Sequence, residues 1–221
     1  FTDINVRDEY FQDVLKRQAV VNPNLLFVYR FQKEDGSFEE KEFIYENGIT
    51  DYVNEIAAGE NLTSVQNWSA DRVGRDREDK SEYKVKMEFA LTFSNKIKKI
   101  EYYHNSSFLE HGGSPERAVK QAFVSQIDAY LKQNNKYLKN EKKITFDDVE
   151  DCLILVSSSF STQTSYENQT KKAITNKFIY ETMTEFLKHQ LEIYFIENPD
   201  EALKIAEQVM VNKRSLSLIH I

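Results

Sequence analysis

The chain is poor in the residues that punctuate or staple a fold. Its 221 residues include one cysteine, three prolines, six glycines and one tryptophan. A single cysteine, Cys152, excludes a disulfide within the chain, and its place inside an apolar run marks it as a buried structural thiol. So little Pro and Gly, with 40% hydrophobic residues, excludes a low-complexity or collagen-like chain and predicts a globular one. No apolar run approaches the roughly 18 to 20 residues of a membrane span, and no basic-then-apolar signal peptide opens the chain. A cytoplasmic compartment and no membrane partner are the expectation.

An excess of positive charge is also missing. Lys and Arg total 29 against 36 Asp and Glu, a net charge of −7, which argues against a domain whose main business is wrapping nucleic acid. Two local basic stretches remain, Lys96-Lys98-Lys99 and Lys132 to Lys143. They read either as solvated surface with cations near a helix C-terminus or as DNA contacts. The four histidines, His104, His111, His189 and His220, show no metal-ligand spacing with the one cysteine, so no metal site is expected. No Walker loop, Rossmann fingerprint or Ser/His/Asp constellation is present. An autonomous enzyme is not the expectation.

What is present alternates between helix and strand patterns and predicts an α+β fold. An amphipathic helix over 6–18 precedes strands over 25–31 and 38–45, joined by Glu34-Asp35-Gly36-Ser37 as a hairpin. A short helix through Ile49, Tyr52, Val53 and Ile56 ends at Gly59. The mixed-charge stretch over 69–82 reads as an exposed loop. Between 84 and 93, Val85, Met87, Phe89, Leu91 and Phe93 alternate with Lys84, Lys86, Glu88, Ala90 and Thr92, a strand buried on one face and wet or lightly covered on the other. Residues 97–103 are expected to pair with it. Ser114-Pro115 opens a helix whose apolar face runs through Val119, Ala122, Phe123, Ile127, Tyr130 and Leu131. Thr145, three residues before Asp148, caps a short helix. Cys152-Leu153-Ile154-Leu155-Val156 is continuous enough to be a strand buried on both faces. Asn176 is placed to cap a long helix through Phe178, Ile179, Met183, Phe186, Leu187, Leu191 and Tyr194.

Between that buried strand and that helix lies Tyr166-Glu167-Asn168-Gln169-Thr170-Lys171-Lys172, a polar segment in a connection longer than most and free of Pro and Gly. Gly112-Gly113-Ser114, ahead of another helix, reads either as a tight turn or as an anion cradle.

These residues carry a resemblance. Glu167-Asn168-Gln169-Thr170-Lys171 is similar to the Gln-Thr-Lys loop of the type IIA DNA topoisomerases, in their gyrase B and topoisomerase IV B subunits. Other matches keep the family's chain order. Phe1-Thr2 and the helix through Tyr10, Phe11, Val14 and Leu15 resemble the segment after its ATPase domain, and Phe43-x-Tyr45-Glu46-Asn47-Gly48-Ile49 its Tyr-Glu-Gly-Gly-Ile turn. Tyr103-x-Asn105 with Gly112-Gly113-Ser114 resembles its Asn-rich stretch ending in Gly-Gly-Thr-His, and Glu197-Asn198-Pro199-Asp200 the break before its exit helix. Asn168 stands where the family usually has Gly, Pro115 where it has His, and His111 where it has an acidic residue. Asn tolerates a left-handed backbone best among non-glycines, which would preserve the loop's shape.

The resemblance covers residues 1–214 and implies one transducer domain, with a ribosomal protein S5 domain 2-like fold, a mixed sheet packed with helices and a long C-terminal helix. Residues 215–221 read as a non-native tail. In such a domain Gln169, Thr170 and Lys171 would meet the ATP γ-phosphate, with Lys171 and Gln169 as the catalytic pair. The implied role is to couple ATP binding and hydrolysis to DNA gate closure and strand passage. The implied cofactors are ATP, held mainly by an upstream ATPase domain, and Mg2+ bound elsewhere in the enzyme. The implied partners are that domain, a downstream metal-binding domain, a gyrase A-type subunit, a second B-type copy and double-stranded DNA. Two alternatives stand beside this reading: the second domain of a related mismatch-repair or chaperone ATPase, and a non-catalytic nucleic-acid or protein interaction domain.

Overall fold

A computed structural model describes residues 7–219, with side chains through Ser215. Phe1-Thr2, the start of the first predicted helix, and His220-Ile221 lie outside the described residues. The fold is α+β, as the alternating patterns predict. Its centre is a strand that can be buried on both sides. β7 (Leu153–Ser161) takes that place, with Leu153 and Leu155 facing one core and Ile154 and Val156 the other. On one flank it pairs antiparallel with β4 (Tyr83–Phe93), and on the other it pairs parallel with β5 (Lys99–His104). β3 (Gln66–Gly74) and β6 (Ser107–Phe108) form the edges, giving the order β3-β4-β7-β5-β6.

Two expectations change here. Residues 97–103 do not pair with β4, because β7 inserts between them. A central strand must be apolar on both faces, which Leu153–Val156 satisfies and the charged start of β5 does not. A parallel pair also needs a long crossover, which α3 (Ser114–Gln133) and α4 (Phe146–Glu150) supply. The mixed-charge stretch is not all loop either. Its first half is the edge strand β3, in register with β4 at Trp68 opposite Phe89, with Asp71 paired to Lys84 of β4 (2.7 Å).

The larger core lies on one face of the sheet, under α3, α5 (Lys177–Glu197) and α6 (Pro199–Ile219). β4 presents Val85, Met87, Phe89, Leu91 and Phe93 to it, as the alternation predicts. The other face of β4 is wet at Lys84 and Lys86 and closed at Ala90 and Thr92, where α2 (Ile49–Ala57) packs with Ile49, Tyr52 and Val53. α1 (Asp8–Val21) lies against that smaller core and carries the two-stranded hairpin of β1 (Phe27–Gln32) and β2 (Phe38–Phe43).

The predicted caps fared differently. Thr145 and Asp148 do form a capping box on α4, with the Thr145 amide donating to Asp148 Oδ2 at 2.7 Å. Asn176 occupies the N-cap position of α5 without capping it. Its side chain donates instead to Asp76 (2.9 Å) and Tyr83 (3.1 Å), and Asp76 takes the Phe178 amide at 2.8 Å. Asp76, in the turn after β3, is therefore the cap. At the other end, α6 stays helical through Ile219, past the point where the apolar pattern changes at Ser215.

Candidate functional site

The polar segment expected as an unstructured loop has a stem. Tyr166 and Ile174 form an antiparallel bridge, reinforced by Glu167 N–H to the Ala173 carbonyl (3.0 Å) and Thr175 N–H to the Ser165 carbonyl (2.8 Å). The returning limb is then pinned to the turn before α3. Gly113 bridges Ile174, the Ser114 amide donates to the Ile174 carbonyl (2.8 Å), and the His111 amide to the Lys172 carbonyl (2.9 Å). The outgoing limb is held at its root by the end of β5 and the turn after it. Asn105 donates to the Ser161 carbonyl (3.2 Å) and Thr164 Oγ1 (3.1 Å), and its own Oδ1 accepts from the Ser161 amide (3.0 Å). The fully buried His104 ring lies among the Ser159, Ser161 and Thr164 hydroxyls at 2.8 to 3.1 Å, and burial pulls its pKa down to about 4.

Beyond the stem, residues 167–171 are exposed. Asn168 Oδ1 accepts from both the amide (3.0 Å) and the hydroxyl of Thr170, an Asx-type turn that commits the Thr170 proton locally. The left-handed residue of the tip is Lys171, at φ 56°, and Asn168 is not left-handed. The expectation that Asn168 replaces a glycine by adopting that conformation is thus corrected: its side chain shapes the turn, and the strain falls one step before Lys172. Lys171 Nζ rests 5.5 Å from the Tyr166 ring centroid, while Gln169 projects freely into solvent. Lys172 is ion-paired with Glu110, whose carboxylate that hydrogen bond and the lysine charge hold below the usual range.

Gln169 and Lys171 are therefore brought to one exposed tip, and Thr170, exposed beside them, has its hydroxyl tied to Asn168. Sequence reasoning missed the residues that hold the loop, Glu110, Lys172 as an anchor and His104, and Asp76, which caps the helix that follows it. Asn105 and Gly113 carried a signal, since both fall in the stretch that resembles the family's Asn-rich segment. The Gly-Gly-Ser turn is structural. A Cβ built on Gly113 would stand 2.2 Å from the Ile174 carbonyl oxygen, so only glycine allows this approach.

Other candidates fall away as chemistry. Cys152 is buried and its thiol is pushed up to about 12, first by desolvation. Among the described residues no three His, Cys, Asp or Glu side chains converge as metal ligands, and no helix is long and apolar enough to cross a membrane. Lys96, Lys98 and Lys99 each have a carboxylate partner, Glu60 (2.7 Å), Asp151 (2.6 Å) and Glu101 (3.1 Å). That pairing matches the solvated-surface reading of this basic stretch.

Comparison with known proteins agrees with this architecture. The chain is 28% identical over 178 residues to the DNA gyrase B protein of Metamycoplasma arthritidis, covering 79% of this chain and 27% of that one. It is 28% identical over 212 residues to that of Spiroplasma citri, covering 92% and 31%. It thus spans about a third or less of the length of these relatives. Among solved structures, the 43K ATPase domain of Thermus thermophilus gyrase B, in complex with an aminocoumarin, superimposes with a TM-score of 0.69 at 18% identity, over 100% of this chain and 57% of that one. The topoisomerase IV ATP-binding domain of Francisella tularensis does so with 0.67 at 22%, over 97% and 55%. These two likenesses establish the fold. The family model for DNA gyrase B matches residues 48–217, most of the chain, and the protein belongs to the DNA gyrase B family.

Proposed function

We propose that residues 1–214 are the transducer domain of a B-type chain of a type IIA topoisomerase, in which the loop tip reports the state of a nucleotide held by an upstream ATPase domain. The observation that carries this reading is the exposed tip of Gln169 and Lys171 on a stem pinned at both limbs. Such a tip is free to meet another surface and stiff enough to pass on what it meets.

The residues fit one end of a nucleotide and not the whole of it. Lys171 offers a compact charge on a flexible stem, suited to a terminal phosphate, and its neighbour Tyr166 holds it only by a weak cation–π contact. Gln169 offers an amide that can donate to phosphate or accept from water. Thr170 keeps the turn closed through Asn168. No phosphate-cradling glycine loop is present, so ATP and its Mg2+ would be held by the upstream domain. When bound there, ATP supplies the phosphoryl group whose loss to water the Lys171 charge would favour. The stem would then carry the change into β7 and α5, and so into the angle between domains, the movement that closes a gate on a DNA segment. Strand cleavage would belong to a gyrase A-type partner and a downstream metal-binding domain, and two B-type chains would form the gate.

The test is to join this chain to the ATPase domain of a gyrase B relative and compare ATP turnover with Lys171→Ala. A drop on the order of 10²-fold in kcat is expected, the scale seen when one charge-stabilising donor is removed. Unchanged turnover would sink the phosphate-sensing role.

A further inference from the structure

His104 is a buried titratable group with no part in the chemistry proposed above, and its hydrogen bonds run from the sheet into the loop. It ends β5, stands opposite Ser159 of β7 in the parallel register, and is 0% exposed. Nδ1 of its ring lies 2.8 Å from Ser159 Oγ, while Nε2 lies 2.9 Å from Thr164 Oγ1 and 3.1 Å from Ser161 Oγ. Among the described residues, Thr164 is the one past the end of β7 to which the ring is hydrogen-bonded.

The neighbouring hydroxyls decide which ring nitrogen carries the proton. Ser159 Oγ donates to the Tyr103 carbonyl at 3.2 Å, so it accepts from the ring, which puts the ring proton on Nδ1. Nε2 is then an acceptor in need of a donor. Ser161 commits its hydroxyl proton to the Gln163 carbonyl at 2.7 Å, which leaves Thr164 to donate to Nε2. Thr164 Oγ1 in turn accepts from the Asn105 side chain at 3.1 Å. With the proton on Nε2 instead, Nδ1 would face Ser159 with no hydrogen between them unless Ser159 gave up the Tyr103 carbonyl.

We infer that His104 is a positioning residue for the loop tip: as the Nδ1–H tautomer it accepts from the Thr164 hydroxyl and fixes the outgoing limb that carries Gln169 and Lys171. The inference rests on the reading of that tip as the part that meets phosphate. The returning limb is held by backbone bonds at His111, Gly113 and Ser114. Between Ser161 and the stem at Tyr166, the outgoing limb leans mainly on side chains: Asn105 and His104 at Thr164, and Asn176, which accepts from the Ser165 amide at 2.7 Å. Loss of the Thr164 bond frees that limb, and a charge that must reach a terminal phosphate tolerates little misplacement, about 1 Å costing on the order of 10²-fold.

The chain itself, without nucleotide, provides the first test. In a long-range proton–nitrogen spectrum at about pH 7.5, His104 should show Nδ1 protonated and Nε2 bare. The stem amides of Glu167 and Thr175 should exchange with solvent about tenfold faster in Thr164→Val and in His104→Asn, the scale of one buried hydrogen bond, with the β4 amides unchanged. His104→Gln should keep the natural rates, because its amide oxygen reaches the position of Nε2 and that of Asn does not. With the chain joined to the ATPase domain as above, Thr164→Val should lower kcat about tenfold at an unchanged KM for ATP, and adding His104→Asn should cost nothing more. A proton on Nε2, unchanged exchange, or additive losses in the double variant would overturn the assignment. If exchange responds as expected while Lys171→Ala leaves turnover unchanged, the tether stands and the phosphate reading falls.

Discussion

Gly113 holds a backbone conformation (φ 85°) that other residues rarely adopt, and it does so while almost touching Ile174. Strain and clash therefore add at one position. Gly113→Ala is expected to lower stability by about 3 kcal/mol, read as a shift in the urea midpoint, because the Ile174 backbone is locked in the stem and cannot retreat. A loss under about 0.5 kcal/mol would mean the stem yields more easily than its bonds suggest. His104 makes a different kind of prediction. Burial lowers its pKa from 6.5 to about 4, so the unfolded chain takes up a proton that the folded chain refuses. This contribution to stability is whole above about pH 6.5 and is lost as the pH falls toward 4, by about 3 kcal/mol in all. Comparing urea midpoints at pH 7.5 and 4.5 for the natural chain and His104→Gln isolates it from the carboxylates. The variant should show the smaller drop, and equal drops would refute the assignment.

At the scale of elements, the N-terminus of α5 depends on a residue about a hundred positions away. Asp76 accepts from the Phe178 amide and from the Tyr83 hydroxyl (2.9 Å) and Asn176 side chain (2.9 Å). Asp76→Ala should cost about 2 kcal/mol in a thermal melt, since it removes a cap and leaves the Tyr83 hydroxyl without its acceptor; a loss no larger than that of an exposed substitution would show that Asn176 can take over the cap. Such a cap is invisible along the chain, because Asn176 fills the position where a local cap would sit. The elements themselves were legible wherever a period was clean: the β4 alternation, the two-faced apolar run of β7, the stripes of α3 and α5. β3 was hidden because an edge strand with one solvated side reads like a charged loop. Strand order was hidden because sequence neighbours usually pair, and here the more apolar β7 takes the middle. For the site, the tip at Gln169 to Lys171 was legible through its resemblance, while Glu110 and Asn105, which hold it, act from elsewhere in the chain.

In the whole molecule, the two cores are the two faces of one sheet, so neither can melt and leave the other intact. Trp68 packs in the larger core, and its fluorescence should change at the same denaturant concentration as the far-UV circular dichroism. Separate midpoints would divide the chain into independent units. The β1–β2 hairpin stands apart from this unit, with Val28, Phe31 and Phe38 exposed, and its amides should exchange with solvent sooner than those of β4 and β7. The depth of that shared core has a practical side as well. Cys152 is 0% exposed, and its thiol stays protonated far above neutral pH. To a maleimide dye in neutral water the folded chain behaves as though it contained no cysteine. Gln169→Cys would then carry a fluorophore at the loop tip alone, and light emitted from that one point would follow the tip wherever it docks.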